Sequence, residues 1–146
     1  MIDFLTQQEN IQEYIKTNYP VVLQEQGLEN VGAYINDFLD FDKYNKKTQL
    51  FFDFKSYTFH SLSNESNSEE LELHIYLSFR GDSAKELNKK MLLYSAGFHE
   101  MFERSGCNFG GLTDFGIIET TTFYPETEGN PNLKVAELTL KLQTER

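Results

Sequence analysis

The chain has one cysteine, three prolines and no tryptophan in 146 residues. A single cysteine excludes an internal disulfide and any zinc site built from several thiolates. Basic residues are scarce as well, 13 against 23 acidic ones, which leaves a formal charge of −10. The phosphate backbone of nucleic acid repels such a chain, so specific nucleic-acid binding is not expected. No stretch approaches the ~18 uninterrupted apolar residues that a membrane-spanning helix needs. Met1-Ile2-Asp3-Phe4 carries no basic start and leads into no long apolar run. A secretory leader is therefore not expected, and a cytoplasm is the default compartment.

What is present in quantity is aromatic. Thirteen Phe and eight Tyr accompany a hydrophobic fraction of 39%. That balance reads as a globular, sheet-rich protein and not a disordered one. Size scaling gives a folded surface of roughly 7,700 Å² and burial of about 69% of the unfolded surface, enough for one self-sufficient domain over residues 1–146. Charge is spread unevenly. Residues 83–106 are the one stretch in which bases outnumber acids, and they read as a helix with a mixed solvated face.

Hydrophobic periodicity predicts a helix over 4–18, with Thr6 and Glu9 as a capping box and an end at Tyr19-Pro20. A short strand is expected at Val21–Leu23, and irregular chain over 26–36. Residues 48–60 form a long β signal. Its apolar parity changes after Phe54, which suggests either a bulge near Ser56 or a sheet buried on both faces. SLSNESNSEE at 61–70 reads as a polar hairpin connection. The clearest strand is 71–80, with Leu71, Leu73, Ile75, Leu77 and Phe79 on one parity. Ser83 and Glu86 cap a second amphipathic helix, which packs its stripe on that strand and ends near Gly106. Strands at 115–124 and 133–142 flank a turn-forming PETEGNPN loop. The fold class is α+β: an antiparallel or mixed sheet of four to five strands with two main helices packed on one face. The passage over 71–124 has the form of a strand–helix–strand crossover.

The chemistry-bearing residues do not assemble into a motif. His60, His74 and His99 lie on three different elements, and no two have ligand spacing. Cys107 follows a helix C-terminus, which does not favour a thiolate. Asp37, Asp40, Asp42 and Asp53 invite a metal reading. Asp40–Asn45 begins like a calcium loop but lacks its Gly and its terminal Glu. The Gly106–Gly111 glycines follow a helix instead of opening one, so they form no phosphate cradle. Asn64-Glu65-Ser66 matches the glycosylation pattern, which matters only in a secretory path. Lys85, Lys89 and Lys90 are too few for a nucleic-acid footprint. No catalytic, cofactor-binding or metal-ligating residue is assigned, and no enzymatic activity is expected.

Residues 70–145 carry a resemblance. ELELHIYLSFRGDSAKELNKKMLLYSAGFHEMF leads into GGLTDFGIIETTTFYPETEGNPNLKVAELTLKLQTE. This order is an alternating strand, a turn, one amphipathic helix, a Gly-Leu loop, a strand, an acidic Gly-Asn-Pro loop and a final strand. It resembles the tail terminator, or tail-completion, proteins of tailed bacteriophages and prophages. The resemblance implies a structural virion subunit that forms a homo-oligomeric ring, a hexamer in that family, assembled in the bacterial cytoplasm. Its implied partners are other copies of itself, the tail tube protein and the head–tail connector proteins. It implies no catalytic residues, no cofactor and no membrane. The loops at 61–70 and 125–132 are expected to be mobile in the free subunit and ordered in the assembly.

Two other readings fit the composition. One is an α+β cone whose aromatic pocket, lined by Phe52, Phe54, Tyr57, Phe59 and Tyr76 with His74 as polar handle, binds a ligand or catalyses a reaction. The other is a non-catalytic adaptor that uses its acidic surface.

Overall fold

The structure is a computed structural model, and it describes residues 3–37, 39–42, 46–61 and 67–145. It is α+β, with two helices and one five-stranded mixed sheet. In chain order the elements are α1 (Phe4–Glu25), β1 (Ala33–Ile35), β2 (Thr48–Ser61), β3 (Asn67–Arg80), α2 (Ala84–Arg104), β4 (Phe115–Tyr124) and β5 (Leu133–Glu145). The strand order is β1-β2-β3-β5-β4. β1 runs parallel to β2, and the other neighbours are antiparallel. The crossover through α2 therefore links two parallel strands with β5 inserted between them. The solvent-accessible surface is 7927 Å², close to the value expected from size alone.

Helix α1 departs from the sequence expectation at both ends. Its cap is Asp3, not Thr6. Asp3 Oδ1 accepts from the Thr6 amide at 3.0 Å, and Oδ2 accepts from the Thr6 hydroxyl at 2.7 Å. At the other end the helix runs through Pro20 to Glu25, so Val21–Leu23 is helical and not a strand. An interior proline costs about 3 kcal/mol. Continuing the helix buries Val22 and Leu23, each worth about 1.5–3 kcal/mol. The carbonyl that loses its partner belongs to Lys16, which is exposed, so solvent can satisfy it. Burial and solvation together outweigh the proline. The helix then closes at Gly27, whose φ is +74°. Gly27 N–H donates to Gln24 C=O and Leu28 N–H to Leu23 C=O, a Schellman ending. Ala33–Ile35, expected to be irregular, forms the short β1.

The strand readings are accurate in their interiors. Leu71, Leu73, Ile75, Leu77 and Phe79 all point into the core. The bulge expected near Ser56 lies between Phe54 and Ser56, and a second lies between Ile118 and Thr120. Each brings its strand back into phase with its neighbour. Core rows then run across the sheet: Leu50–Leu77–Ala136–Phe123, Phe52–Ile75–Leu138–Thr121, Phe54–Leu73–Leu140–Ile118 and Tyr57–Leu71–Leu142–Gly116. Helix α2 begins at Ser83, whose Oγ accepts from Glu86 N–H, and turns out at Gly106 with φ +82°. Both helices pack on this one face. Ile11, Ile15, Tyr19 and Leu23 of α1 join Leu87, Met91, Phe98 and Phe102 of α2 in a single core cluster with the rows. The two buried tyrosine hydroxyls are satisfied: Tyr19 donates to Tyr94 C=O and Tyr94 to Glu29 C=O, both at 2.7 Å.

Candidate functional site

Because both helices cover the same face, the opposite face of the sheet is left uncovered by either. Its rows follow from the register. Asp53, His74, Thr139 and Thr120 form one row. Phe51, Tyr76, Glu137 and Thr122 form the next, and Ser56, Glu72, Lys141 and Ile117 lie on the other side. Neighbouring side chains on one sheet face lie close enough to pair directly or diagonally. Glu72, His74, Glu137 and Lys141 form a linked group of ionisable side chains on this face.

His74 is at its centre. Its Nδ1 lies 2.6 Å from Glu137 Oε2 and its Nε2 lies 2.7 Å from Glu72 Oε2. Lys141 Nζ reaches the other Glu72 oxygen, and Tyr124 donates to the other Glu137 oxygen at 2.7 Å. Tyr76 also hydrogen-bonds Glu137. Ionised carboxylates only accept, so the arrangement is satisfied when both imidazole nitrogens donate. Both ring nitrogens are thus engaged by carboxylates. Burial works to raise the Glu137 carboxyl, but bonds from Tyr124, His74 and Tyr76 hold it below the usual carboxylate range. Bonds from Lys141 and then His74 lower Glu72 in the same way. Burial, then the bond to Glu137, pushes Tyr76 up, and the Glu137 bond pushes Tyr124 up. The network is closed on itself and joins β3, β4 and β5.

The other sequence candidates lie apart. His60 is exposed near the end of β2, and His99 on α2 bonds Thr121 of β4 at 2.7 Å. Cys107 is half-buried, in a turn with φ +60°. Asp42 pairs with Arg80, Asp53 with Lys55 at 2.7 Å, and Asp40 accepts from the Asp42 amide. Lys43, Tyr44 and Asn45 of the calcium-like stretch, and Asn64–Ser66 of the glycosylation pattern, fall outside the described residues. Among the described residues no group of three His, Cys, Asp or Glu is placed to hold a metal ion. Lys85, Lys89 and Lys90 are exposed on α2.

The aromatic pocket read from the sequence does not form as one unit. Phe52, Phe54 and Tyr57 face the helices, while His74 and Tyr76 face the other way, because the sheet separates the two parities. Phe59 is exposed at the far end of β2 and packs near Phe4. Tyr76 belongs instead to a cleft of about 340 Å³ on the open face, with Leu39, Phe41, Tyr124, Val135 and the loop that carries Glu126 and Glu128. Sequence reasoning missed this group, since its members come from four distant segments. The segment over Phe41 straps that end of the sheet. Phe41 packs edge-on against Phe51 at 5.3 Å, and its carbonyl accepts from Gln49 Nε2 at 3.0 Å.

The PETEGNPN loop forms a tight turn held by its own bonds. Thr127 and Asn130 exchange backbone bonds around Glu128 and Gly129, both with positive φ. No helix among the described residues is long and apolar enough to cross a membrane. Comparison with family models and with curated proteins finds no match.

Proposed function

We propose that this chain is a structural, non-catalytic subunit that assembles with copies of itself into a ring, as the tail terminator proteins it resembles do. The observation that carries this reading is the pair of open edges at the two ends of the sheet. Among the described residues β4 pairs with β5 alone, and along its ten residues Phe115, Ile117, Phe123 and Tyr124 are 51%, 59%, 41% and 40% exposed. Its one charged residue is Glu119, and it has no Pro or Lys, the usual devices that discourage edge pairing. At the other end β1 covers only Gln49–Phe51, so β2 beyond Phe51 has no outer strand among the described residues. Two different open edges allow head-to-tail joining, which closes into a ring when the rotation between subunits permits. The closed network on the open face is in keeping with a role that needs shape and rigidity more than a tuned acid or base.

Light scattering on the chain across concentration and salt tests the reading. Discrete closed oligomers that strengthen as salt screens the acidic subunits are expected. A strict monomer at every concentration and salt level contradicts it.

A further inference from the structure

We infer that the open-face cleft between Phe41, Tyr76 and Tyr124 is a binding site for a cationic side chain, arginine or lysine, presented by a docking protein. The site stands apart from the ring reading and rests on three observations. The first is shape and chemistry: a concavity of about 340 Å³ lined by three aromatic rings, Leu39 and Val135. Aromatic faces attract cations, and apolar walls accept the methylene stem of a long side chain. The second is charge. Glu126 and Glu128 line the same cleft, no base lines it, and neither glutamate is paired with a base among the described residues. The third is pre-organisation. Tyr124 and Tyr76 both spend their hydroxyls on Glu137, which fixes the hydroxyl ends of both rings. Glu128 is held in the left-handed region, φ +57°, at a turn position that favours glycine or asparagine. Its carboxylate is placed on the rim at some conformational cost. An anion would be repelled by both glutamates, and a neutral apolar ligand would gain nothing from them.

The test is an amide-shift titration of the full chain by NMR with N-acetylarginine amide and N-acetyllysine amide. N-acetylnorleucine amide, which keeps the stem and lacks the charge, is the control. Saturable shifts at Leu39, Phe41, Tyr76 and Tyr124 are expected with the two cations, with norleucine at least about fivefold weaker. The Glu126→Gln/Glu128→Gln variant should fold normally, since both side chains are exposed, and should bind the cations at least about fivefold more weakly. Equal binding of the norleucine amide, native affinity in the double variant, or no saturable shift in the cleft each overturns the inference.

Discussion

At the scale of single residues, Gly116 is the glycine with the tightest surroundings. A Cβ built there would lie 2.6 Å from Leu142 Cδ2 and 2.9 Å from the Cys107 carbonyl oxygen. The backbone contact cannot rotate away, so β4 meets the turn after α2 only through a residue without a side chain. Gly116→Ala should destabilise by about 1–3 kcal/mol, the usual cost of overpacking, measured by chemical denaturation. The open-face network makes a prediction about acid. Glu72 and Glu137 are both held below the carboxyl value of 4.5. A depressed folded value contributes stability that is present above the unfolded value and lost as pH falls through the folded one. Melting temperature should therefore drop below about pH 4.5. In Glu72→Gln/Glu137→Gln that drop should be shallower, and an unchanged acid slope would show that the network stores no stability. The sequence placed His74 on the polar parity of its strand. It contained no sign of Glu137 as a partner, because that contact exists only once β5 lies beside β3.

At the scale of elements, β3 is the centre of the core. Leu73→Ala or Ile75→Ala should each cost about 2–5 kcal/mol, as large-to-small changes at fully buried sites do. Two variants that melt within a degree of native would contradict this assignment of faces. Pro20 makes the opposite case. It sits inside α1 as a tolerated defect, so Pro20→Ala should restore one helical bond and raise stability, by up to about 3 kcal/mol, with helical content unchanged or higher. A loss of stability would mean that the proline ring itself is needed. These two elements show what local sequence conveys. The alternation of β3, the bulge after Phe54 and the Ser83 cap are written in residues near one another, and all three were legible. The extension of α1 past Pro20 was not, because it depends on core contacts of Val22 and Leu23 with distant residues. β1 was missed for the same reason. Three residues next to Gly32 carry no pattern of their own, and their strand character comes from parallel pairing with Gln49–Phe51. The cleft at Phe41, Tyr76 and Tyr124 depends on strand order as well, so aromatic content alone grouped side chains from both faces of the sheet into one pocket.

At the scale of the whole molecule, charge and edges oppose each other. Each chain would bring a formal charge of −10 to the proposed assembly. Repulsion should hold the chains apart in dilute buffer and relax as the screening length falls to about 10 Å near 0.1 M salt. The apolar β4 edge should then join copies through backbone hydrogen bonds. Ile117 is exposed, so Ile117→Lys should leave the isolated subunit within about 0.5 kcal/mol of native stability and yet block edge pairing. Hydrogen exchange along Phe115–Tyr124, compared between dilute monomer and concentrated protein at raised salt, tests the central claim most directly. The account predicts that amides of β4 gain protection on assembly and that Ile117→Lys abolishes both the assembly and the gain. Assembly that leaves the β4 amides as exchangeable as in the monomer, or that proceeds unchanged in Ile117→Lys, would contradict it.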